Sequence, residues 1–96
     1  MRELEVGDII TTKISILGNP ERAQGLVYEK YNLGEKGGVS VIFENGQYDG
    51  FYVGEQKEYF ERTGHKESLE KYVFINVMKL SQDYENGVFD EAFNQV

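Results

Sequence analysis

Three stretches of this chain hold the residue types that site chemistry uses. His65, in the segment GHKES, is the single histidine of the chain. Paired with Glu67 it would make a His–carboxylate unit for proton transfer. That unit works only with a nucleophile or third group in place, and the sequence positions none. Asp83-x-Glu85-x-Gly87, followed by Asp90 and Glu91, approximates a calcium loop. The calcium template has glycine sixth and a carboxylate twelfth; here glycine falls fifth and the twelfth residue is Asn94. NLGEKGG, residues 32–38, has the glycines of a phosphate cradle but lacks the Gly-Lys-Ser/Thr ending and the helix that follows it. The absence of cysteine removes disulfides, thiolate ligands and thiol nucleophiles together. These residues therefore point to no catalytic group, no metal and no cofactor. His65 reads as a solvated loop residue, and the carboxylates as an acidic tail.

The charge is the next constraint. Ten basic residues stand against 17 acidic ones, a net charge of −7. Phosphate contacts supply most non-specific nucleic-acid affinity, so direct nucleic-acid binding is not expected. A protein partner is; the acidity reads first as surface charge that keeps a small protein soluble, and more sharply as a basic partner or a surface imitating nucleic acid. The chain of 96 residues has the size of one domain, 1–96, with a core that needs no metal or disulfide. MRELEVGD is charged from its second residue, unlike a signal peptide, and no apolar run reaches membrane-spanning length. A cytoplasmic location is the expectation.

The elements that would position a site are short strands. Glycine is frequent (11), proline appears once, and seven tyrosines and six phenylalanines supply the aromatics. This composition suits a small, sharply bent sheet. Asp8 to Leu17 reads as a strand, broken by Gly18-Asn19-Pro20 and a loop over 18–25. Gly25 to Tyr31 is the second strand, and Val39 to Glu44 follows the 32–38 loop. Asn45-Gly46 is a two-residue turn signal that pairs Glu44 with Gln47. This register puts Val39, Val41, Phe43, Tyr48 and Tyr52 on a core face, with Ile42 and Phe51 opposite. Asp49-Gly50 then reads as a bend in the fourth strand. Glu55 to Thr63 is rich in helix formers, with Glu58 and Arg62 at i,i+4 and Gly64 as a terminator. YVFINVM, residues 72–78, reads as the most buried strand. The tail spaces Leu80, Tyr84, Phe89 and Phe93 at helical intervals, broken at Asn86-Gly87, and is expected to pack through Phe89 and Phe93 with its carboxylates outward. The expected core is Ile9, Leu26, Val41, Phe43, Tyr48, Phe60, Val73, Ile75, Val77 and Leu80.

Strand, long loop, strand, loop, strand, tight turn, strand, short helix, strand: over residues 6–78 this order resembles the SH3-like barrels. The resemblance is one of topology and carries no family motif. It implies a mainly β fold, a small five-stranded antiparallel barrel with a short helix before the last strand and a short helical C-terminal tail, 80–96. It also implies a groove between the loops at 18–25 and 32–38, lined by strand-end aromatics. Tyrosine is enriched at binding hot spots. The candidate partner-binding residues are therefore Tyr31 and Tyr52, with Glu21, Glu29 and Glu35 in or beside the loops. The function expected is a non-catalytic protein-interaction module. The alternative is an acidic inhibitor of mobile-element type that imitates nucleic acid through carboxylates on the tail and helix.

Overall fold

The computed structural model describes residues 4–31, 37–66 and 77–93. The fold is mainly β, with five antiparallel strands, a helix before the last strand and short helices near the C-terminus. The strands are β1 (Asp8–Thr12), β2 (Gln24–Tyr31), β3 (Gly38–Phe43), β4 (Tyr48–Tyr52) and β5 (Phe60–Lys66). The helices are α1 (Val53–Tyr59), α2 (Val77–Glu85) and α3 (Asp90–Phe93). The sheet order is β4-β3-β2-β1-β5. Among the described residues the sheet does not close into a barrel, since β4 and β5 are its two edges.

β1 is shorter than the β-branched run suggests. It stops at Thr12, which is buried and ties the following loop to itself. Its hydroxyl donates to Pro20 O (2.9 Å) and accepts from Ala23 N (3.1 Å). The chain then makes a tight turn, in which Ile16 and Asn19 exchange backbone hydrogen bonds and Leu17 and Gly18 are left-handed (φ 50° and 81°). That is the primed turn whose twist suits a two-residue reversal.

The β3–β4 hairpin is present, with a turn one residue longer than expected. Phe43 N donates to Gln47 O and Gly46 N to Phe43 O, with Gly46 at φ 88°. This is a three-residue loop with glycine in the left-handed position. The register is Ile42↔Tyr48, Val41↔Asp49 and Val39↔Phe51. One residue of slip exchanges the faces of β4. Phe51 is buried, while Tyr48 and Tyr52 are 38% and 55% exposed, the reverse of the expected core face. The register runs through Gly50 unbroken and its φ is not left-handed, so Asp49-Gly50 is not a bend.

The expected helix over 55–63 is displaced toward the N-terminus. α1 begins at Val53, where Glu55 accepts a hydrogen bond from Tyr52 N (2.9 Å), and ends at Phe60, which turns extended (φ −130°, ψ 150°). Phe60 is fully buried, so it leaves the helix to enter the core as the first residue of β5. Arg62 is therefore not an i,i+4 partner of Glu58. It sits on β5 with Nε 3.3 Å from Oδ2 of the buried Asp8. Gly64 is left-handed (φ 89°) within the register shift that links Ile10↔Arg62 to Asp8↔Lys66, and does not terminate a helix. Of the expected strand 72–78, residues 72–76 lie outside the described residues, and Val77 and Met78 begin α2.

Both faces of the sheet are covered. One face packs Leu4, Ile10, Val27, Val39, Val41, Phe43, Phe51 and Phe60 into a cluster joined by Tyr59 of α1. Phe51 and Phe60 meet edge to face with centroids 4.8 Å apart. The other face packs Ile9, Leu26 and Ile42 under Leu80 and Phe89, with Tyr28, Tyr84 and Phe93 at the margin. This is why VSVIF is apolar at both parities. The tail break at Asn86-Gly87 is a helix C-terminal motif: Gly87 N donates to Tyr84 O, Val88 N to Asp83 O, and Gly87 is left-handed at φ 78°. Phe89 is fully buried, so the tail packs as expected. Asp83 does not turn outward: it is buried and paired with Lys79. In the expected core, Tyr48 is exposed, Val73, Ile75 and the Val77 side chain lie outside what is described, and Ile10, Val27, Val39, Ile42 and Phe51 are additions.

Candidate functional site

A bulge in β2 sets up the most distinctive surface. Val27 pairs with Val41, but Glu29 pairs with Ser40, so Tyr28 is an extra residue in the strand. Such an insertion exchanges the two faces of everything after it. Tyr31, an odd position, is thereby carried onto the face of Leu26, an even one. Tyr28 and Tyr31 come to share that face.

What Tyr31 does there depends on two glycines. It pairs with Gly38 of β3, and Gly38 pairs onward with Tyr52 of β4. A Cβ on Gly38 would stand 2.7 Å from the Tyr31 hydroxyl and 2.8 Å from Phe51 O; one on Gly50 would stand 2.9 Å from the same hydroxyl. The Tyr31 side chain thus lies across β3 toward β4, in space that only glycine leaves open. Gly50 is required as a seat for this ring and not as a hinge.

The described charges that act on this ring are carboxylates. Burial pushes the Tyr31 hydroxyl above its ordinary 10.0, and the neighbouring Tyr52, Glu29, Asp49 and Glu55 push the same way. Burial also raises Tyr28, opposed by a hydrogen bond with Ser40 and assisted by Glu29, Tyr48 and Asp49. Tyr28 and Tyr31 of β2 thus feel Tyr48, Asp49 and Tyr52 of β4, Glu29 of β2 and Glu55 of α1. Tyr48 and Tyr52 are exposed, Tyr28 and Tyr31 half-buried. Such a patch suits a cation: the ring faces attract it through their quadrupoles and the carboxylates through charge.

Tyr31, Tyr52 and Glu29, candidates from sequence, are thus brought together. Glu35 lies outside the described residues. Glu21 is elsewhere, in a polar depression of about 180 Å³ lined by Thr11, Thr12, Lys13, Glu21, Arg22 and Glu61. It precedes the start of β2 while Tyr31 ends it, and eight strand residues span roughly 25 Å. Loops at opposite ends of one strand do not flank a common groove. Asp49, Glu55, Tyr28 and Tyr48 were missed by sequence reasoning. Asp49 and Tyr48 carried a signal, the hairpin itself, but only the correct register turns Tyr48 outward.

Among the described residues, no group of three His, Asp or Glu side chains is placed to hold a metal. His65 is exposed on β5, and Glu67 lies outside the described residues. No described helix is long and apolar enough to cross a membrane. Comparison with protein-family models, with curated proteins and with solved structures returns no match.

Proposed function

We propose that this protein is a non-catalytic interaction module of the cytoplasm, built on an SH3-like strand plan, that holds a lysine- or arginine-bearing segment of a partner protein. One observation carries the reading: the Tyr31 ring laid over Gly38 and Gly50 beside exposed Tyr52, with Glu29, Asp49 and Glu55 acting on it. Acidic residues favour the cationic partner and repel nucleic acid, and the tyrosines supply contact area at low entropic cost. The buried, paired Asp83 takes one carboxylate away from the tail surface and weighs against the nucleic-acid-mimic reading.

The test is titration of an arginine-rich peptide into the isotope-labelled protein, read by amide chemical shifts. Shifts should gather at residues 28–31, 38–40 and 48–52. Tyr52→Ala should weaken binding about tenfold, within the range of a desolvated cation–π contact, while Glu21→Gln leaves it unchanged. Raised salt should weaken binding only moderately, because ring contacts persist when charge is screened. Binding that vanishes with salt and ignores Tyr52 would favour the mimic reading instead.

A further inference from the structure

The outer edge of β4 is guarded by two of the carboxylates whose charge acts on the Tyr31 hydroxyl, Asp49 and Glu55. Phe43 N donates to Gln47 O and Val53 N to Gly37 O, so the odd-numbered backbone groups of this strand turn toward β3. Antiparallel pairing alternates, so the groups of Tyr48, Gly50 and Tyr52 turn away from the sheet. Among the described residues no strand lies beyond β4. Two of the three outward amides are instead held by carboxylates: Gly50 N donates to Asp49 Oδ1 (2.8 Å) and Tyr52 N to Glu55 Oε1 (2.9 Å). Beside this edge runs an open groove of about 240 Å³ lined by Tyr48, Met78, Ser81, Gln82 and Glu85, in which Met78 is 70% exposed.

We infer that β4 is a strand-addition site for an extended basic segment of a partner protein, which takes Asp49 and Glu55 off the edge amides and pairs antiparallel in their place. This rests on the reading above that the partner segment is cationic, and adds where and in what conformation it docks. Unpaired edges are templates for added strands, and acidic guards select the occupant. A second copy of this chain would set Asp49 and Glu55 against themselves at a net charge of −7 per chain. A strand carrying lysine or arginine exchanges salt links for the freed hydrogen bonds. Paired residues share a face, so a residue opposite Tyr48 points toward the groove at Met78 and one opposite Asp49 points with Asp49. The segment therefore alternates apolar and basic residues.

The probe is a short peptide alternating valine and lysine, with one analogue N-methylated on every valine and another on every lysine. In the predicted register the valine amides face β4 and the lysine amides face away. The valine-methylated analogue should bind at least about tenfold more weakly, having lost several ladder hydrogen bonds. The lysine-methylated one should match the parent, and Asp49→Asn should weaken the parent peptide. Amides of 48, 50 and 52 should gain protection from exchange. Equal binding of both analogues, with shifts still at Tyr31 and Tyr52, would overturn strand addition and leave the aromatic patch standing. No binding by any of the peptides would remove both. A homodimer that buries β4 and resists the peptide would make the occupant a second copy and overturn the inference.

Discussion

Gly25 is a position where one added methyl group should crowd the core from three sides. It sits in β2 between Ile10 and Phe43, its register partners on either side. A Cβ there would stand 2.8 Å from Val41 Cγ1, 2.9 Å from Ile10 Cδ1 and 3.2 Å from Phe43 Cδ1. All three atoms belong to fully buried residues of one cluster, so none can retreat into solvent. Overpacking of this kind costs about 1–3 kcal/mol. The φ of Gly25 is ordinary, so alanine also stiffens the unfolded chain, which returns about 0.4–1 kcal/mol. The net expectation for Gly25→Ala is a loss of about 1–2 kcal/mol. For a chain of this size that lowers Tm by roughly 5–15 °C. Calorimetry and urea unfolding at constant m-value measure it. A double-mutant cycle with Val41→Ala isolates the cause, because removing the nearest methyl relieves the crowding. The pair should destabilise less than the sum of the singles by about 1 kcal/mol, within the usual coupling of touching residues. A Gly25→Ala protein that melts at or above the parent, or strict additivity in the cycle, would refute the packing argument.

Gly54 offers the contrast: a Cβ there meets nothing within 4 Å and the residue lies in α1, so Gly54→Ala should stabilise by about 0.5–1 kcal/mol in the same melts. Phe89→Ala strips a fully buried ring from the tail-covered face and should cost about 3–5 kcal/mol, measured by urea unfolding. A loss under about 1 kcal/mol would mean the tail covers that face only loosely. The hydroxyls of Tyr28 and Tyr31 are raised above 10.0, so the folded state holds their protons more tightly than the unfolded chain does. Their contribution is complete below pH 10 and is lost as pH rises through the folded values. Tyr31→Phe should therefore flatten the alkaline decline of Tm, and its ultraviolet titration difference should show a late-ionising phenol.

Much of the fold could be read from local chemistry. Strand-forming runs at 8–17, 25–31 and 39–44 were legible because β-branched and aromatic residues are separated by glycine-rich breaks, although the first strand ends at Thr12. The hairpin at Asn45-Gly46 and the tail break at Asn86-Gly87 were legible because glycine takes the left-handed conformation that ends a strand or a helix. The absence of thiols and the net charge of −7 bounded the chemistry without any coordinates. Three features came only from tertiary structure. The hairpin turn could hold two residues or three at similar local cost, and burial of Phe51 against Phe60 selected three. Residues 60–63 read as the end of the 55–63 helix, yet Phe60 and Arg62 find their partners, the apolar cluster and Asp8, only beside β1. Tyr31 reached its face because Tyr28 bulges out of the ladder, and Gly38 and Gly50 mattered because a ring from another strand lies over them. Register, bulges and close approaches depend on contacts between residues distant in sequence, which no local pattern encodes.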